Sequence, residues 1–358
     1  MKKLKIKTSF VGLNIQGQGV GAATIEQMNL LKDRCSDYFE VLENKGRGDI
    51  LHVHTIDPRS SLRATFSRVP VVMHVHFIPE TLEGSIKLPK WAAKIYNWYV
   101  LKTYKKASNI VVVNPIFIKD LDRYGIVKER VTYIPNFVNE ETFYPSPIEK
   151  KHAIRDQYGI ARDAFVVLGV GQVQTRKGVL DFVEVAKKLP DIQFVWAGGF
   201  SFGKITDGYE QLKKIIENPP KNVKFLGIIN RSQMNDIYNL TDVFFMPSYN
   251  ELFPMAILES CSAGVPMLLR NLDLYEDILF HKYLQASDNE GFITLLRQLK
   301  DDENVMKQAK EYSAFIKNHY SRDNVAKIWV DYYQKVKADN LCKIAKLNRI
   351  NKRHKRKA

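Results

Sequence analysis

A repeated rhythm constrains this chain more than any single residue does. Short apolar runs alternate with longer amphipathic stretches, break off once, and begin again. In the first half the runs fall at 4–11, 50–54, 69–76, 109–113 and 131–134, with helices predicted at 22–32, 90–106 and 116–124. Strands that alternate with helices make a mostly parallel sheet covered on both faces. A segment at 144–152, with Pro145, Pro147 and mixed charges, reads as a linker. The rhythm then restarts, with strands at 165–170, 194–197, 223–225, 243–246 and 267–269 and helices at 178–188, 209–216, 232–239, 254–263 and 290–299. The predicted architecture is α/β: two doubly wound, Rossmann-like units of similar size facing a cleft. The first spans 1–145 and the second 151–320. A helix at 321–340, with a core near 322–337, and a basic, unpacked tail at 341–358 follow. In such sheets ligands bind at the carboxyl ends of the strands.

Composition narrows the class. The 358 residues are 45% apolar and 26% charged, a globular balance with enough chain for two cores. No uninterrupted apolar run reaches the roughly 18 residues that a membrane span needs. Residues 1–7 are basic but lead into no apolar h-region, so they read as a first strand rather than a signal peptide. Cys35, Cys261 and Cys342 are far apart and odd in number. They suggest reduced thiols of a cytoplasmic protein, without a disulfide framework or zinc spacing. The net charge of +15 attracts polyanions, namely nucleic acid, an anionic membrane or phosphorylated ligands. No RNA- or DNA-binding motif accompanies it, so nucleic acid is not expected.

Four segments carry candidate chemistry. In Glu251-Leu-Phe-Pro-Met-Ala-Ile-Leu-Glu259, Pro254 suits a first helical turn, which places Glu251 in the loop before a helix and Glu259 more than a turn inside it. Two such carboxylates can accept from hydroxyls at opposite ends of an elongated ligand, while the loop N–H groups and helix start face phosphate. The plain alternative is one surface acid and one solvated helical acid. Gln16-Gly-Gln-Gly-Val-Gly21 follows a strand and opens a helix, where glycines such as Gly17 and Gly19 let backbone approach a diphosphate. It also suits an ordinary strand–helix turn. Arg176 and Lys177 precede Gly178 at another helix start and could offset a departing diphosphate's charge without a metal. A solvated basic pair is the alternative. His52, His54, His74 and His76 end two neighbouring strands, with His74 and His76 on one face. They suggest a metal site at first sight, yet no acidic or cysteine ligand stands beside them at metal spacing, and sheet-end histidines suffice.

Two further stretches concern surfaces. On a helix over 87–106, Trp91, Ile95 and Trp98 share a face beside Lys90 and Lys94, with Lys105 and Lys106 at its end. A basic rim around an aromatic face suits a membrane headgroup region. Packing of the tryptophans on the sheet is the alternative. The tail from 343 to 357 carries eight Lys or Arg and no acid. It would add about 1 kcal/mol per basic residue near an anionic surface, or serve only as a solubilising extension.

The segment 251–259 resembles the E-x7-E motif of the retaining GT-B glycosyltransferases of family 4. Other fragments resemble that family's pattern in the same order. They are 12–21 (Gly-rich loop), Asp49-Ile-Leu-His-Val-His54, Val72-Met-His-Val-His76, Tyr133-Ile-Pro-Asn136, Gly169-Val-Gly171 with Arg176-Lys-Gly178, Phe225-Leu-Gly227, 242–248 and Ala263-Gly-Val-Pro266. The likeness runs over about 330 residues in all. It implies that Glu251 binds hydroxyls of the transferred sugar and Glu259 the ribose. The backbone N–H groups of Leu252 and Phe253 would help hold sugar and phosphate, Lys177 and Arg176 would meet the diphosphate, and His76 would touch the sugar near its reacting carbon. Neither glutamate is implied to be a nucleophile. No metal is implied, and the nucleotide sugar is a co-substrate rather than a cofactor. The chain departs from the pattern at Gln172, where an arginine is usual, and at Asn136-Phe-Val-Asn139, where "NGVD" is usual.

A narrower resemblance lies in 76–89, 171–178 and 269–275. These stretches are similar to bacterial glycolipid synthases that add a second hexose to a monoglycosyl-diacylglycerol, whose product in Gram-positive bacteria anchors lipoteichoic acid. That likeness implies a peripheral enzyme at the cytoplasmic face of the cell membrane. It would use UDP-galactose or UDP-glucose, a monoglycosyl-diacylglycerol acceptor entering near 79–89, and anionic lipids. A family-4 transferase for capsular or wall polysaccharide, and a non-catalytic nucleotide- or polyanion-binding protein on the same fold, remain open.

Overall fold

The computed structural model describes residues 2–11, 19–79, 89–201, 203 and 206–355. Its two sheets are six-stranded and parallel throughout. The first holds β1 (Leu4–Ser9), β2 (Phe39–Glu43), β3 (Ile50–Val53), β4 (Val71–Val75), β5 (Asn109–Val112) and β6 (Val131–Tyr133), in the order β2-β1-β3-β4-β5-β6. The second holds β7 (Val166–Val170), β8 (Gln193–Ala197), β9 (Val223–Gly227), β10 (Val243–Met246), β11 (Met267–Arg270) and β12 (Leu284–Ala286), in the order β12-β11-β10-β7-β8-β9. Winding reverses between β1 and β3 in one sheet and between β7 and β10 in the other. These are the switch points beside which a parallel sheet leaves a ligand crevice.

The covering helices in the first half are α1 (Gly19–Asp33), α2 (Pro58–Thr65), α3 (Lys90–Lys105) and α4 (Ile116–Arg123). The second half carries α5 (Ile148–Gln157), α6 (Val179–Lys188), α7 (Tyr209–Glu217), α8 (Met234–Asn239), α9 (Met255–Ser262), α10 (Glu276–Leu279), α11 (Asn289–Asp301) and α12 (Glu303–His319). The strands are near-continuous apolar runs because both sheet faces are buried. β3 and β4, for instance, are buried at every position.

Three differences from the sequence reading have physical causes. The linker expected at 144–152 is extended only at its start. There the backbone N–H groups of Tyr144 and Ser146 donate to Asn235 and Asn239 side chains, and α5 then begins at Ile148. β2 and α2 are too short to show a clear period, and neither was expected. The last helix, α13 (Arg322–Lys355), has 34 residues and runs on as helix through 341–355, where a tail was expected. Its first turns do not stay with the second half. Val325, Ala326, Trp329, Tyr332, Tyr333 and Val336 pack against Ile6, Leu30, Ile50, Val72 and Val111 under the first sheet. Arg322 pairs with Asp33 at 2.8 Å and Lys337 with Asp49 at 2.8 Å, fixing the helix along α1 and the start of β3. Among the described residues, no helix is long and apolar enough to cross a membrane.

Candidate active site

The carboxyl ends of β7 and β10 bring Arg176, Lys177 and Glu251 together. After β7 the chain makes a single 3-10 turn over Thr175–Lys177 and then needs a left-handed residue. Gly178 has φ +69°, and a Cβ there would sit 2.3 Å from the Pro247 carbonyl oxygen. Glycine therefore lets this turn lie against the end of β10, where the Tyr249 N–H donates to the Arg176 carbonyl at 2.8 Å. The turn delivers two cations to one carboxylate. Lys177 Nζ lies 2.5 Å from Glu251 Oε1, and Arg176 Nη1 lies 3.6 Å from Oε2. Glu251 is buried, which alone would raise its pKa, but the charges of Lys177 and Arg176 outweigh this and hold it below the usual carboxylate range. Burial, with Arg176 nearby, lowers the Lys177 ammonium despite its pairing with Glu251. Gln172, standing where the family pattern has arginine, accepts from Gln174 at 2.7 Å, and Arg176 is the second cation at this carboxylate.

A buried ion cluster is weak evidence of stabilisation, because the desolvation cost can exceed the Coulombic gain. Here one carboxylate offers acceptor lone pairs to hydroxyls, while the adjacent cations suit a diphosphate. Glu259 sits inside α9, buried, with Oε2 accepting from Tyr238 Oη and Oε1 from Arg231 Nη1, each at 2.8 Å. The Glu251–Phe253 loop is also gripped from across the cleft. Asn114, just past β5, donates to the Leu252 carbonyl at 3.0 Å and the Leu274 carbonyl at 2.8 Å, and Asn136 donates to the Phe253 carbonyl at 2.8 Å.

In the first half, His52, His54, His74 and His76 are all buried and face one another. Along each strand their ring centroids are 4.0 Å apart (His52–His54) and 4.2 Å apart (His74–His76, 13° between planes). Trp329 of α13 closes over His52 and His74 at 5.4 and 5.9 Å. Burial, the leading cause for each, pushes all four below the ordinary histidine value, His76 to about 4, so they are neutral at neutral pH. Nitrogens of His52, His54 and His74 come within 4.8 Å of one another. The His52 and His74 rings are nearly parallel, 5° between planes at 5.4 Å, while His54 is tilted by 35° and 37° to them. The group fits a neutral, packed sheet end. Asp120 and Asp122 on α4, an Asp-x-Asp pair, are engaged by Arg123 at 3.0 Å and Lys128 at 3.4 Å.

The other expected residues fall as follows. Gly19 opens α1, and Gly17 lies outside the described residues. On α3, Trp91, Ile95 and Trp98 are 59–68% exposed, while Val100, Thr103 and Tyr104 face the core. The tryptophans therefore point to solvent rather than packing on the sheet. Lys102 lies 4.4 Å over the Trp98 ring. Lys94, Lys105 and Lys106 are exposed around this face, and the Lys90 side chain lies outside the described residues. Leu62 and Phe66, at the end of α2, are exposed as well and were not anticipated. Arg231, Tyr238, Asn114 and Glu26 were also missed. Only Asn114 left a trace in the sequence, as a polar residue closing an apolar strand before Pro115.

The family described as Glycosyl transferases group 1 matches residues 150–320, and Glycosyltransferase Family 4 matches residues 34–142. The alpha-galactosylglucosyldiacylglycerol synthase of Streptococcus pneumoniae is 44% identical over 338 residues, 93% of this chain and 90% of that protein. The processive diacylglycerol alpha-glucosyltransferase of Acholeplasma laidlawii is 26% identical over 82% of this chain and 87% of that one. The structure of Anabaena HepE in complex with UDP-glucose superposes with a TM-score of 0.74 at 14% identity, covering 93% of this chain and all of the other. Two wound sheets with a shared cleft, matched over nearly their whole length by these proteins, make the chain a GT-B glycosyltransferase of the group 1/family 4 class.

Proposed function

We propose that this enzyme moves a galactose or glucose unit from its UDP-sugar to a monoglycosyl-diacylglycerol, keeping the anomeric configuration and making a diglycosyl-diacylglycerol. The observation that carries this reading is the 44% identity, along 93% of the chain, to a synthase named for such a product. The geometry supports it. Glu251 accepts from donor-sugar hydroxyls, and Lys177 and Arg176 turn toward the diphosphate as negative charge builds on the departing UDP. This is electrostatic stabilisation by groups already in place. The neutral His76 lies in the first half at the end of β4, where its ring N–H can donate to a sugar hydroxyl. Glu259 takes the ribose, and the loop N–H groups of Leu252 and Phe253 assist at the sugar and phosphate. Lys177 and Arg176 meet the diphosphate without a divalent ion.

The acceptor is a lipid, and the exposed aromatic stripe of α3 with Lys94, Lys105 and Lys106 suits docking on the anionic, cytoplasmic face of the membrane. Incubating the purified enzyme with UDP-galactose or UDP-glucose and vesicles containing monoglucosyl-diacylglycerol tests the reading. A diglycosyl lipid formed from one donor is the expected result. Sugar transfer to a polysaccharide fragment but not to the lipid would overturn it.

A further inference from the structure

Arg231 begins the short 3-10 turn Arg231–Gln233 after β9 and reaches in two directions. Nη1 lies 2.8 Å from Glu259 Oε1 on α9, in the second half. Nη2 lies 2.9 Å from Glu26 Oε1 on α1, in the first half. Both carboxylates are buried, and the guanidinium also lies over the Phe143 ring at 5.2 Å. The Arg231 side chain is itself 38% exposed, so solvent screens the cation while the two carboxylates stay buried. Two buried acids from opposite sides of the cleft share a single cation, so separating the halves strips one of them of its partner. Burial would lower the Arg231 pKa, but Glu259 and Glu26 together hold it above its ordinary value.

The fork geometry of a guanidinium matters here. Its donors are fixed in one plane, so anchoring Nη2 at Glu26 sets the direction of Nη1. Glu259 is thus held at both oxygens, by Arg231 at one and Tyr238 at the other. Each oxygen keeps a second lone pair for a hydroxyl. Arg231 and Tyr238 therefore orient this carboxylate without using it up.

We propose that Arg231 is a positioning residue that carries the closed arrangement of the two halves, sensed at Glu26, into the orientation of Glu259, so that the nucleoside's ribose is gripped tightly only when the cleft is closed. The proposal rests on the assignment of Glu259 to the ribose. By linkage, UDP must favour closure by the same factor by which closure favours UDP.

The test is calorimetric titration of the full chain with UDP, together with kcat and KM for the nucleotide sugar, on Glu259→Ala, Arg231→Met, Arg231→Lys and Glu26→Gln. Glu259→Ala is expected to weaken UDP binding at least about tenfold. Arg231→Met should weaken it about tenfold, and Arg231→Lys, which can serve one carboxylate but not both, should fall between Met and wild type. Glu26→Gln, in the opposite half, should still weaken UDP binding about threefold to fivefold and raise KM in step, with kcat within about twofold. Placed in the Arg231→Met background, it should add nothing. Unchanged UDP affinity in Glu26→Gln, an equal effect of it with and without Arg231, or a lowered melting temperature with normal affinity in both would overturn the coupling. Wild-type UDP binding by Glu259→Ala would instead overturn the ribose assignment itself.

Discussion

The two walls of the cleft solve burial in opposite ways. The second half gathers charge, with Glu251 against Lys177 and Arg176, and Glu259 against Arg231. The first half gathers groups that could be charged and keeps them neutral, as four packed imidazoles, two of them against Trp329. The contrast follows from what stands nearby. Glu251 has two cations within 3.6 Å, which outweigh its desolvation, whereas each histidine has mainly other histidines and aromatic rings, so desolvation wins. On the proposed function, one wall meets the ligand's phosphates and hydroxyls, and the other offers weak, uncharged donors beside them.

Acid should break this comparison most visibly. An imidazole that protonates near pH 6.5 when unfolded but stays neutral when folded stabilises fully above that pH. It loses its contribution as pH falls toward its folded value, about 4 for His76. Each contributes about 1.4 kcal/mol per pH unit, or roughly 5 kcal/mol per unit for the four acting together. Glu251 has the opposite placement. Its contribution is present above the ordinary carboxylate value near 4.3 and is lost only as pH falls through its lower folded value. Denaturant midpoints followed by tryptophan fluorescence should therefore drop steeply between pH 6.5 and 5, before the charged wall titrates. A flat profile there would refute the neutral assignment.

Next in size is Glu251→Gln. Losing a charged acceptor that acts in the transition state should cost about 3–4 kcal/mol, a kcat loss on the order of 10²–10³. Near-normal kcat would remove Glu251 from the donor site. Replacing Trp91 and Trp98 by Ser should weaken binding to anionic vesicles at any salt. Neutralising Lys94, Lys105 and Lys106 should cost about 1 kcal/mol each, and only at low salt. Cosedimentation distinguishes the two, and equal binding to neutral and anionic vesicles would discard the electrostatic contribution. The smallest effects sharpen the contrast. His54→Leu should change stability at pH 8 by less than about 1 kcal/mol, because an apolar group replaces an unpaired polar one, while making the acid response shallower. Turnover in EDTA should equal turnover without it, and a loss restored by Mg²⁺ would mean that Lys177 and Arg176 do not suffice.

Much of this arrangement was legible because parallel sheets write themselves as apolar runs, and because the segments around Gly178 and from Glu251 to Glu259 are local patterns. The run of histidines was legible as a run, since alternation puts His74 and His76 on one face. What escaped was non-local. Nothing near Arg231 in sequence announces that Glu26, 205 residues away, shares its charge. Nothing in 322–337 says that the helix leaves the half that precedes it. The pattern of Trp329, Tyr332, Tyr333 and Val336 shows an apolar face but not which sheet it covers. α2 was lost for a different reason, being only two turns long, shorter than the window of about 11–18 residues over which a helical period shows.

That last helix has a consequence for how the molecule comes into being. The floor of the first sheet is finished by Trp329 and Tyr333, residues made after the whole of the second half. During synthesis the first half must wait, with Ile6, Leu30, Ile50 and Val72 uncovered, while residues 134–321 emerge between β6 and α13. The second half carries its own core and can close first, contrary to the usual order in which an N-terminal domain folds as it appears. A nascent chain stopped before residue 322 should thus expose a sticky sheet. For this enzyme, completion of the first half waits on the synthesis of α13.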